Sequence, residues 1–317
     1  ILVTEVKSII FLTIFTFFFT GCEKKSNKYE YIIKDTSFRK KIETGNFVKL
    51  SNGYTYYESE NINHKNLLVF VHGFSVPSYI WHLTYNEAKK RGYGVIKLDL
   101  YGRGYSDNPD IIYNDQLFGD QVIELLDSLK INKKITLVGL SNGGRVISNI
   151  ASRYYNRIEK LIYVSPSGFH DKKKAPDKSK VTDKEINAFI SEKFPTLAKG
   201  QLSDFKYPEN FAGTWDLKYE ELLKYKGFAR AIISTAKNNY LLDEVNSKIG
   251  NTDLPLFAIW GDSDAVLPFK EIENKILKIM PKLKLYIIKD AGHLPHMEKT
   301  NNFNNIFFNK ILNKQEN

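Results

Sequence analysis

The sequence predicts an α/β fold, in which a mostly parallel central sheet carries helices on both faces and is interrupted by an inserted helical segment. Short apolar runs of strand length alternate with helix-like stretches along most of the chain. Between about Phe169 and Asp253 this alternation gives way to a polar, lysine-rich, helix-like stretch, after which the strands resume. We therefore predict one large domain, with core segments 46–168 and 254–317 and a helical lid over 169–253.

Each element of this fold is indicated by a local pattern. Alternating apolar residues over 47–58, broken by Ser51-Asn52-Gly53, predict a hairpin. Continuous apolar runs predict buried strands, and these lie at 67–71, 94–100, 135–138, 161–164, 254–260 and 283–288. Helical spacing of apolar residues predicts helices, and these lie at 80–91, at 115–129, after Ser141, and from Thr300 onward. The last helix is expected to bury Phe303, Ile306, Phe307 and Ile311.

Length and composition limit what the chain can be. With 317 residues, 42% of them hydrophobic, it is long enough to bury a full core. Its net charge of +10 raises the question of nucleic-acid binding, but the lysines are scattered and no dense basic tract or nucleic-acid-binding motif is present. We therefore predict no nucleic-acid partner. The basic balance fits a surface near anionic lipid better, and the sequence does not predict the oligomeric state.

The N-terminal residues predict export and attachment to a membrane. Lys7 precedes an apolar run of about 12 residues, which fits the core of a signal peptide and is shorter than the roughly 20 residues of a membrane span. Cys22, the only cysteine in the chain, follows directly after Gly21. This arrangement resembles a bacterial lipobox, in which the cysteine is lipidated and becomes the new N-terminus.

The lipobox resemblance implies a lipoprotein anchored to a membrane of the bacterial cell envelope. Residues 1–22 would be the signal peptide, and the polar and charged residues 23–45 would form a tether. The alternative is an ordinary cleaved signal peptide with an incidental cysteine, which gives a secreted or periplasmic protein. A single cysteine excludes a disulfide within the chain.

Chemically capable residues follow the predicted strands, at the sheet edge where the sites of such folds collect. His72-Gly73-Phe74 follows the first buried strand, Asp264 follows the strand after the insertion, and His293 follows the last strand. Ser141 follows the third buried strand, on a strand-to-helix turn within the stretch 139–143 that has glycine at both ends. Such glycines either pack a tight turn or allow a strained elbow that presents a nucleophile.

The order of nucleophile, acid and histidine resembles that of the α/β-hydrolase superfamily, and the resemblance covers about 46–313. It implies the α/β-hydrolase fold with an inserted helical lid. Several separated motifs carry it, namely His72-Gly73, Asp99-x-x-Gly102-x-Gly104-x-Ser106, Gly139-Leu140-Ser141-Asn142-Gly143, Gly261-x-x-Asp264-x-x-x-Pro268, and Gly292-His293 with Glu298 five positions on.

The resemblance and the chemistry of acyl transfer together assign roles. Ser141 is the expected nucleophile, because a serine hydroxyl needs an adjacent base and His293 can supply it. Asp264 is expected to orient the imidazole and to stabilise its cation. The developing oxyanion is expected to bind the backbone N–H groups of Phe74 and Asn142.

Other residues compete for these roles. Asp262 is the alternative acid, and His296 is the alternative histidine. His72 is expected to shape the oxyanion loop rather than to act as a base. His293 and His296 stand three positions apart with no third ligand suggested, so we predict no metal. Gly102-Arg103-Gly104 lacks the third glycine and the ribose-binding acid of a nucleotide-binding loop, so we predict no cofactor.

The serine narrows the choice of reaction. Superfamily members with an aspartate nucleophile, the dehalogenases and epoxide hydrolases, are disfavoured by Ser141. The aromatic residues of the insertion predict a small-molecule substrate with a hydrophobic acyl or aromatic group, and Phe211 and Trp215 are the candidate pocket residues. We therefore predict a carboxylic-ester hydrolase that acts through an acyl-enzyme. The alternatives are a C–C bond hydrolase of the meta-cleavage-product type and a non-catalytic ligand-binding protein on the same fold.

Overall fold

A computed structural model, which describes residues 28–313, shows an eight-stranded, mostly parallel sheet within that range. Its strands are β1 (Asn46–Leu50), β2 (Gly53–Glu60), β3 (Leu67–Val71), β4 (Gly94–Leu98), β5 (Ile135–Leu140), β6 (Ile158–Val164), β7 (Leu256–Gly261) and β8 (Lys284–Ile288). They lie side by side in the order β1-β2-β4-β3-β5-β6-β7-β8. β1 and β2 form the predicted hairpin, β2 also pairs antiparallel with β4, and the remaining neighbours pair parallel.

The helices cover the two faces of this sheet. In chain order they are α1 (Thr36–Lys40), α2 (His82–Lys90), α3 (Asp115–Ser128), α4 (Asn142–Arg153), α5 (Asp183–Glu192), α6 (Phe194–Gly200), α7 (Trp215–Glu220), α8 (Phe228–Asn238), α9 (Asp243–Gly250), α10 (Glu273–Ile279), α11 (Pro295–Glu298) and α12 (Thr300–Asn304), followed by a π-helix (Asn305–Leu312). Val69 of β3 packs in one apolar cluster with residues of α3, α4 and α10, and Phe70 packs in the other with residues of α2 and the C-terminal helices. Successive strand residues point to opposite faces of the sheet. Because helices cover both faces, the residues on both must be apolar.

The inserted segment 169–253, which we call the lid, forms helices α5 to α9 and short 3-10 turns between them. Thr182 and Glu185 begin α5 with a capping box, in which each side chain bonds the other's backbone N–H. Aromatic residues are buried where the lid helices meet, among them Phe194, Trp215, Tyr219 and Phe228. The lid therefore has an apolar interior of its own, and that interior is continuous with one of the two core clusters.

The residues before the sheet differ from the expected tether. The Glu30 carboxylate accepts hydrogen bonds from the N–H groups of Gly227 and Ala229, at 3.0 and 2.6 Å, at the start of α8. A carboxylate is stabilised there by the unpaired N–H groups of the helix and by its dipole. Backbone hydrogen bonds also join Ile32 to the lid. The prediction of a tether over 23–45 is therefore wrong for Glu30 and Ile32, which pack against the lid.

The expected signal peptide, residues 1–22, lies outside the described residues, and so does Cys22. Between residues 28 and 313 no helix is both long enough and apolar enough to cross a membrane. Lipidation of Cys22 therefore stays a prediction.

Candidate active site

Ser141 lies on the sharp turn that joins β5 to α4. Its backbone has φ = 51° and ψ = −117°, a conformation that residues with a side chain adopt only under constraint. The flanking glycines permit this turn because the backbones approach too closely for a side chain. A Cβ on Gly139 would lie 2.5 Å from the Gly143 oxygen, and a Cβ on Gly143 would clash with the Val71 oxygen. The turn places Ser141 at the carboxyl edge of the sheet, as an elbow that presents a nucleophile does.

The structure brings His293 and Asp264 into contact. His293 Nδ1 donates a hydrogen bond to Asp264 Oδ2 at 2.8 Å, and both side chains are buried. The carboxylate is fixed by further donors, which are the N–H groups of Val266 and Leu267 at 2.9 and 2.8 Å on Oδ1 and the indole of Trp260 at 3.0 Å on Oδ2. With its proton held on Nδ1, the imidazole has Nε2 free to accept a proton.

The surroundings of His293 favour its protonated form. Burial lowers the pKa of the imidazole, because an enclosed cation loses its hydration. The hydrogen bond to Asp264 and the negative charges of Asp264, Asp204 and Glu298 outweigh this, so the pKa of His293 lies above its ordinary value of 6.5. An imidazolium formed during proton transfer from a serine is therefore stabilised.

The loop after β3 passes beside the nucleophile. A Cβ on Gly73 would lie 3.4 Å from the Ser141 Cβ, and Phe74, the next residue of the loop, borders the same cavity as Ser141. Asn142 supplies the N–H that directly follows Ser141, at the first position of α4. Neither N–H has a protein acceptor among residues 28–313. Both donors are therefore available to bind an oxyanion.

His72 holds the oxyanion loop in place. Its Nε2 accepts the Leu100 N–H at 2.9 Å, so the ring proton is on Nδ1, which donates to the Gly73 oxygen at 2.9 Å. Burial lowers the pKa of His72 to about 3, so the ring is neutral. The neutral imidazole joins the loops that follow β3 and β4.

The competing residues lie elsewhere. Asp262 is exposed, and its Oδ1 accepts hydrogen bonds from Ser263 Oγ and from the Asp290 N–H of the loop after β8, both at 2.8 Å. His296 is buried, and its Nε2 bonds the Ile80 oxygen at 3.0 Å. Across the described part of the chain, no cluster of three or more His, Cys, Asp or Glu side chains is placed to hold a metal ion.

A cavity of about 260 Å³ is bordered by both Ser141 and His293. Its remaining wall comes from the oxyanion loop, from the loops of the acid and the histidine, and from the 3-10 turn Gln201–Asp204 of the lid. Most of its side chains are apolar, and these are Phe74, Val76, Ile80, Leu140, Val266 and Leu294.

The two candidate pocket residues of the lid do not line this cavity in the described structure. Phe211 stacks on Phe205 with ring centroids 3.7 Å apart. Trp215 meets Phe205 and Tyr79 edge to face, with centroid distances of 5.6 Å in both pairs. Both rings pack against Phe205, and Trp215 also packs against Tyr79, which lies outside the lid. The role of Phe211 and Trp215 as pocket residues therefore stays a prediction.

Sequence reasoning missed the role of two carboxylates beside His293. The backbone oxygen of Asp204 accepts the His293 N–H at 2.8 Å, and burial raises the pKa of the Asp204 carboxyl to about 6. The Glu298 carboxylate accepts the N–H of Gly292 at 2.6 Å and that of Lys206 at 2.7 Å, so it joins the histidine loop to the lid. The spacing of Glu298 from His293 was a signal in the sequence. No local pattern marks Asp204, because its partner lies far along the chain.

Comparison with known proteins finds the same fold. A family model described as the alpha/beta hydrolase fold matches residues 66–300. Lipase 1 from Psychrobacter immobilis is 24% identical over 307 residues, which cover 92% of this chain and 93% of the lipase.

Two solved structures illustrate the likeness. Bromoperoxidase from Bacillus anthracis superposes with a TM-score of 0.70 at 23% identity, covering 84% of this chain and 98% of that chain. A meta-cleavage product hydrolase from Pseudomonas fluorescens IP01 superposes with a TM-score of 0.67 at 20% identity, with coverage of 84% and 98%. At these identities the likeness to the two structures shows the fold alone.

Proposed function

The chain belongs to the α/β-hydrolase fold family, and on that premise we propose that it is a serine hydrolase that cleaves a carboxylic ester through an acyl-enzyme. The observation that carries the proposal is the 2.8 Å hydrogen bond from His293 Nδ1 to Asp264 Oδ2, beside a cavity that Ser141 also borders. This bond leaves Nε2 of the imidazole to act as the base that a serine hydroxyl requires.

In the proposed reaction, Ser141 Oγ attacks the ester carbonyl carbon while His293 takes the hydroxyl proton. The carbonyl oxygen becomes an oxyanion that the N–H groups of Phe74 and Asn142 bind. The ester C–O bond then breaks, and the alcohol leaves with the proton from His293. A water molecule, activated by the same base, hydrolyses the acyl-enzyme and restores the Ser141 hydroxyl.

The cavity supports a small substrate with a hydrophobic acyl or aromatic group. Its volume of about 260 Å³ is below the roughly 300–1,000 Å³ of pockets that take drug-sized ligands. Its mostly apolar wall suits an alkyl or aryl group. Similarity to Lipase 1 over nearly the whole chain supports an ester as the bond that is cleaved. We therefore expect short acyl esters to be the better substrates.

The test is the substitution Ser141→Ala. The wild-type protein should hydrolyse p-nitrophenyl butyrate and should be labelled by a fluorophosphonate at Ser141, whereas the variant should do neither. Ser191→Ala, which changes an exposed serine on α5, is the matched control and should keep both activities. Circular dichroism should show the same fold in all three proteins. Hydrolysis by Ser141→Ala at the wild-type rate would refute the proposal.

A broader assay distinguishes ester hydrolysis from the two alternative functions, C–C bond hydrolysis and ligand binding without catalysis. Esters of graded chain length are compared with a vinylogous diketone, the substrate type of C–C hydrolases. Faster cleavage of the diketone than of every ester would assign the protein to C–C bond hydrolysis instead. No labelling of Ser141 and no turnover of any compound would favour a non-catalytic ligand-binding protein.

We also propose that Cys22 carries a lipid that anchors the protein to a membrane of the cell envelope. The support is the position of this cysteine directly after an apolar run of signal-peptide length. Mass spectrometry of the mature protein should find the N-terminus at Cys22 with a lipid attached, and Cys22→Ser should release the protein from the membrane fraction. A mature N-terminus at another residue would exclude the lipid anchor.

A further inference from the structure

The lid places one carboxyl group in the catalytic cavity that has no part in the triad. Asp204, the last residue of the 3-10 turn Gln201–Asp204, lines this cavity together with Ser141 and His293. Its main chain is held there, because its backbone oxygen accepts the His293 N–H at 2.8 Å. Its side chain interacts with neighbouring described residues through charge and accepts no hydrogen bond from them.

Three polar residues near Asp204 use their donors elsewhere. Ser75 Oγ donates to Gln201 Oε1 at 3.3 Å. The Gln201 amide nitrogen in turn donates to the Leu197 oxygen at 3.4 Å, within the lid. Lys206, two positions along the chain, pairs with Asp290 at the surface. The carboxyl group of Asp204 is therefore an acceptor in the cavity wall that receives no hydrogen bond from the described residues.

The charges around Asp204 favour a positively charged partner. The groups that face it are His293 from the loop after β8, Asp264 from the loop after β7, Glu298 from α11 and the Tyr219 hydroxyl from α7. Three carboxyl groups thus lie near one imidazole, and of these carboxyl groups only that of Asp204 belongs to a residue that lines the cavity. Burial raises the pKa of Asp204 to about 6, because enclosure penalises its anion. A bound cation would offset that penalty.

We propose that Asp204 determines substrate specificity by binding an ammonium group of the substrate, close to the ester that Ser141 attacks. A hydrogen bond between two charged groups is stronger than one between neutral groups, and more so where water is excluded. The proposal rests on the ester hydrolysis proposed above and names a substrate class for it, an ester that carries a protonated amine.

The test compares esters of the same shape with and without the charge. β-Alanine methyl ester and methyl butyrate differ by an ammonium in place of a methyl group on the acyl side. Protonated 3-(dimethylamino)propyl acetate and 4-methylpentyl acetate differ on the alcohol side, by a positively charged N–H group in place of a C–H group. For each pair, the quantity measured is kcat/KM for the cationic ester divided by kcat/KM for the neutral one. The pair in which this ratio exceeds one shows on which side of the ester the ammonium binds.

Asp204→Asn should lower this ratio about tenfold or more in one pair, because a charge-assisted hydrogen bond is lost. Asp204→Glu, which keeps the carboxylate, should restore part of it. Glu209→Gln, the same charge change at an exposed position of the lid, should leave the ratio unaltered. The rate with the neutral ester should change in Asp204→Asn, because the charge of Asp204 also raises the pKa of His293, and this change acts on both esters of a pair and cancels in the ratio.

The ratio should also depend on pH. As the pH falls through about 6, Asp204 takes up a proton and the preference for the cationic ester should disappear. Protonation of His293 lowers the rates of both esters alike and so cancels in the ratio. In Asp204→Asn the ratio should not vary over this range.

The outcomes separate this inference from the proposed function. An unchanged ratio in Asp204→Asn for both pairs would overturn the role of Asp204, while hydrolysis of the neutral esters would still support the serine hydrolase. If no ester is hydrolysed and a fluorophosphonate does not label Ser141, the proposed function fails and the inference fails with it. Thermal melting of Asp204→Asn should be cooperative, because its side chain makes no hydrogen bond that the fold needs.

Discussion

The loops at the carboxyl edge of the sheet and the lid turn Gln201–Asp204 border the same cavity, but they hold their residues in different ways. For Ser141 and Asp264 the partners are local. Asp264 accepts hydrogen bonds from two N–H groups of its own loop, and the backbone can turn sharply at Ser141 because glycines stand near it on both sides. For Asp204 in the lid the partner is distant, since its backbone oxygen accepts the N–H of His293. Ser141 and Asp264 are therefore fixed by nearby residues of the chain, whereas Asp204 is fixed by a tertiary contact.

This difference suggests a division of roles. Groups in the loops should determine whether the reaction occurs, because they include the proposed nucleophile, base and acid. Groups in the lid should determine stability or the choice among substrates, because they line the cavity or pack behind it and are not part of the proposed triad. Changes in the loops should then affect all esters equally, and changes in the lid should affect the ratio of two esters or the free energy of unfolding.

The largest expected effect is that of Asp264→Asn. An asparagine amide cannot stabilise the imidazolium and favours the wrong tautomer of His293, so kcat should fall by about 10⁴-fold for every ester, as for a neutralised triad acid elsewhere. Asp262→Asn is the matched control, because Asp262 is exposed and its carboxylate bonds Ser263 Oγ and the Asp290 N–H rather than the imidazole of His293. Kinetics normalised by active-site titration, with thermal melts alongside, would measure both. If Asp262→Asn were the inactive variant, the assignment of the acid would be wrong.

The next largest effect is expected for Trp215→Ala and tests how the lid is packed. Trp215 is 6% exposed and packs against Phe205 and Tyr79, away from the cavity. Trp215→Ala should therefore lower the free energy of unfolding by about 3–5 kcal/mol, with the preference for butyrate over octanoate esters unchanged. Leu217→Ala, on the same helix but 56% exposed, should be nearly neutral. Denaturant titration and ester kinetics would be compared. A changed chain-length preference at full stability would instead support Trp215 as a pocket residue.

The sequence predicts well those features that are set by neighbouring residues. β3 is a five-residue apolar run that is buried on both faces, and the glycines at 139 and 143 mark the turn that presents Ser141. The contact of His293 with Asp264 follows once both are placed at the ends of adjacent parallel strands. These features give the fold and the proposed triad.

Other features depend on contacts that no local pattern records. Glu30 stands in a polar stretch typical of a solvated tether, and its partners at the start of α8 lie almost 200 positions further along the chain. The sequence shows that the lid contains the aromatic residues Phe211 and Trp215, but it does not show which residues their rings contact. Asp204 lies between Ser203 and Phe205, with no local pattern to mark it, and meets His293 only when the lid folds over the sheet.

Glu298 lies between the two regions, and its substitution tests how they are joined. Its carboxylate accepts N–H groups from Gly292 in the histidine loop and from Lys206 in the lid, so we interpret it as a positioning residue for His293. Glu298→Gln should lower kcat roughly tenfold through misplacement of the imidazole.

Glu298→Gln should also shift the pH profile. The charge of Glu298 raises the pKa of His293, and the base must be neutral to act. Without that charge, the acidic limb of kcat/KM should move to lower pH. Asp290→Asn removes an exposed carboxylate of the same loop, and the limb should stay in place. A fall in kcat with no shift of the limb would indicate that Glu298 acts only through structure.

The smallest effect is expected at Val266 and tests whether a loop residue also selects substrates. If it does, substrate selection is not confined to the lid. Val266 lies in the loop of Asp264, lines the cavity, and is 43% exposed, so a larger side chain can be accommodated there without repacking the core. Only its backbone N–H contacts the Asp264 carboxylate, and substitution keeps that bond. Val266→Phe should therefore leave stability within about 0.5 kcal/mol of wild type and leave kcat for butyrate esters intact.

If the acyl chain runs past Val266, the added ring should exclude longer chains. Each buried methylene contributes about 0.8 kcal/mol, or roughly fourfold in kcat/KM, so the ratio of octanoate to butyrate should fall severalfold in Val266→Phe and rise in Val266→Ala. Leu277→Phe changes a residue of equal exposure on α10 that does not line the cavity, and it should have no effect on the ratio. An unchanged ratio in both Val266 variants would place the acyl chain along the lid instead, and selection would then belong to the lid alone.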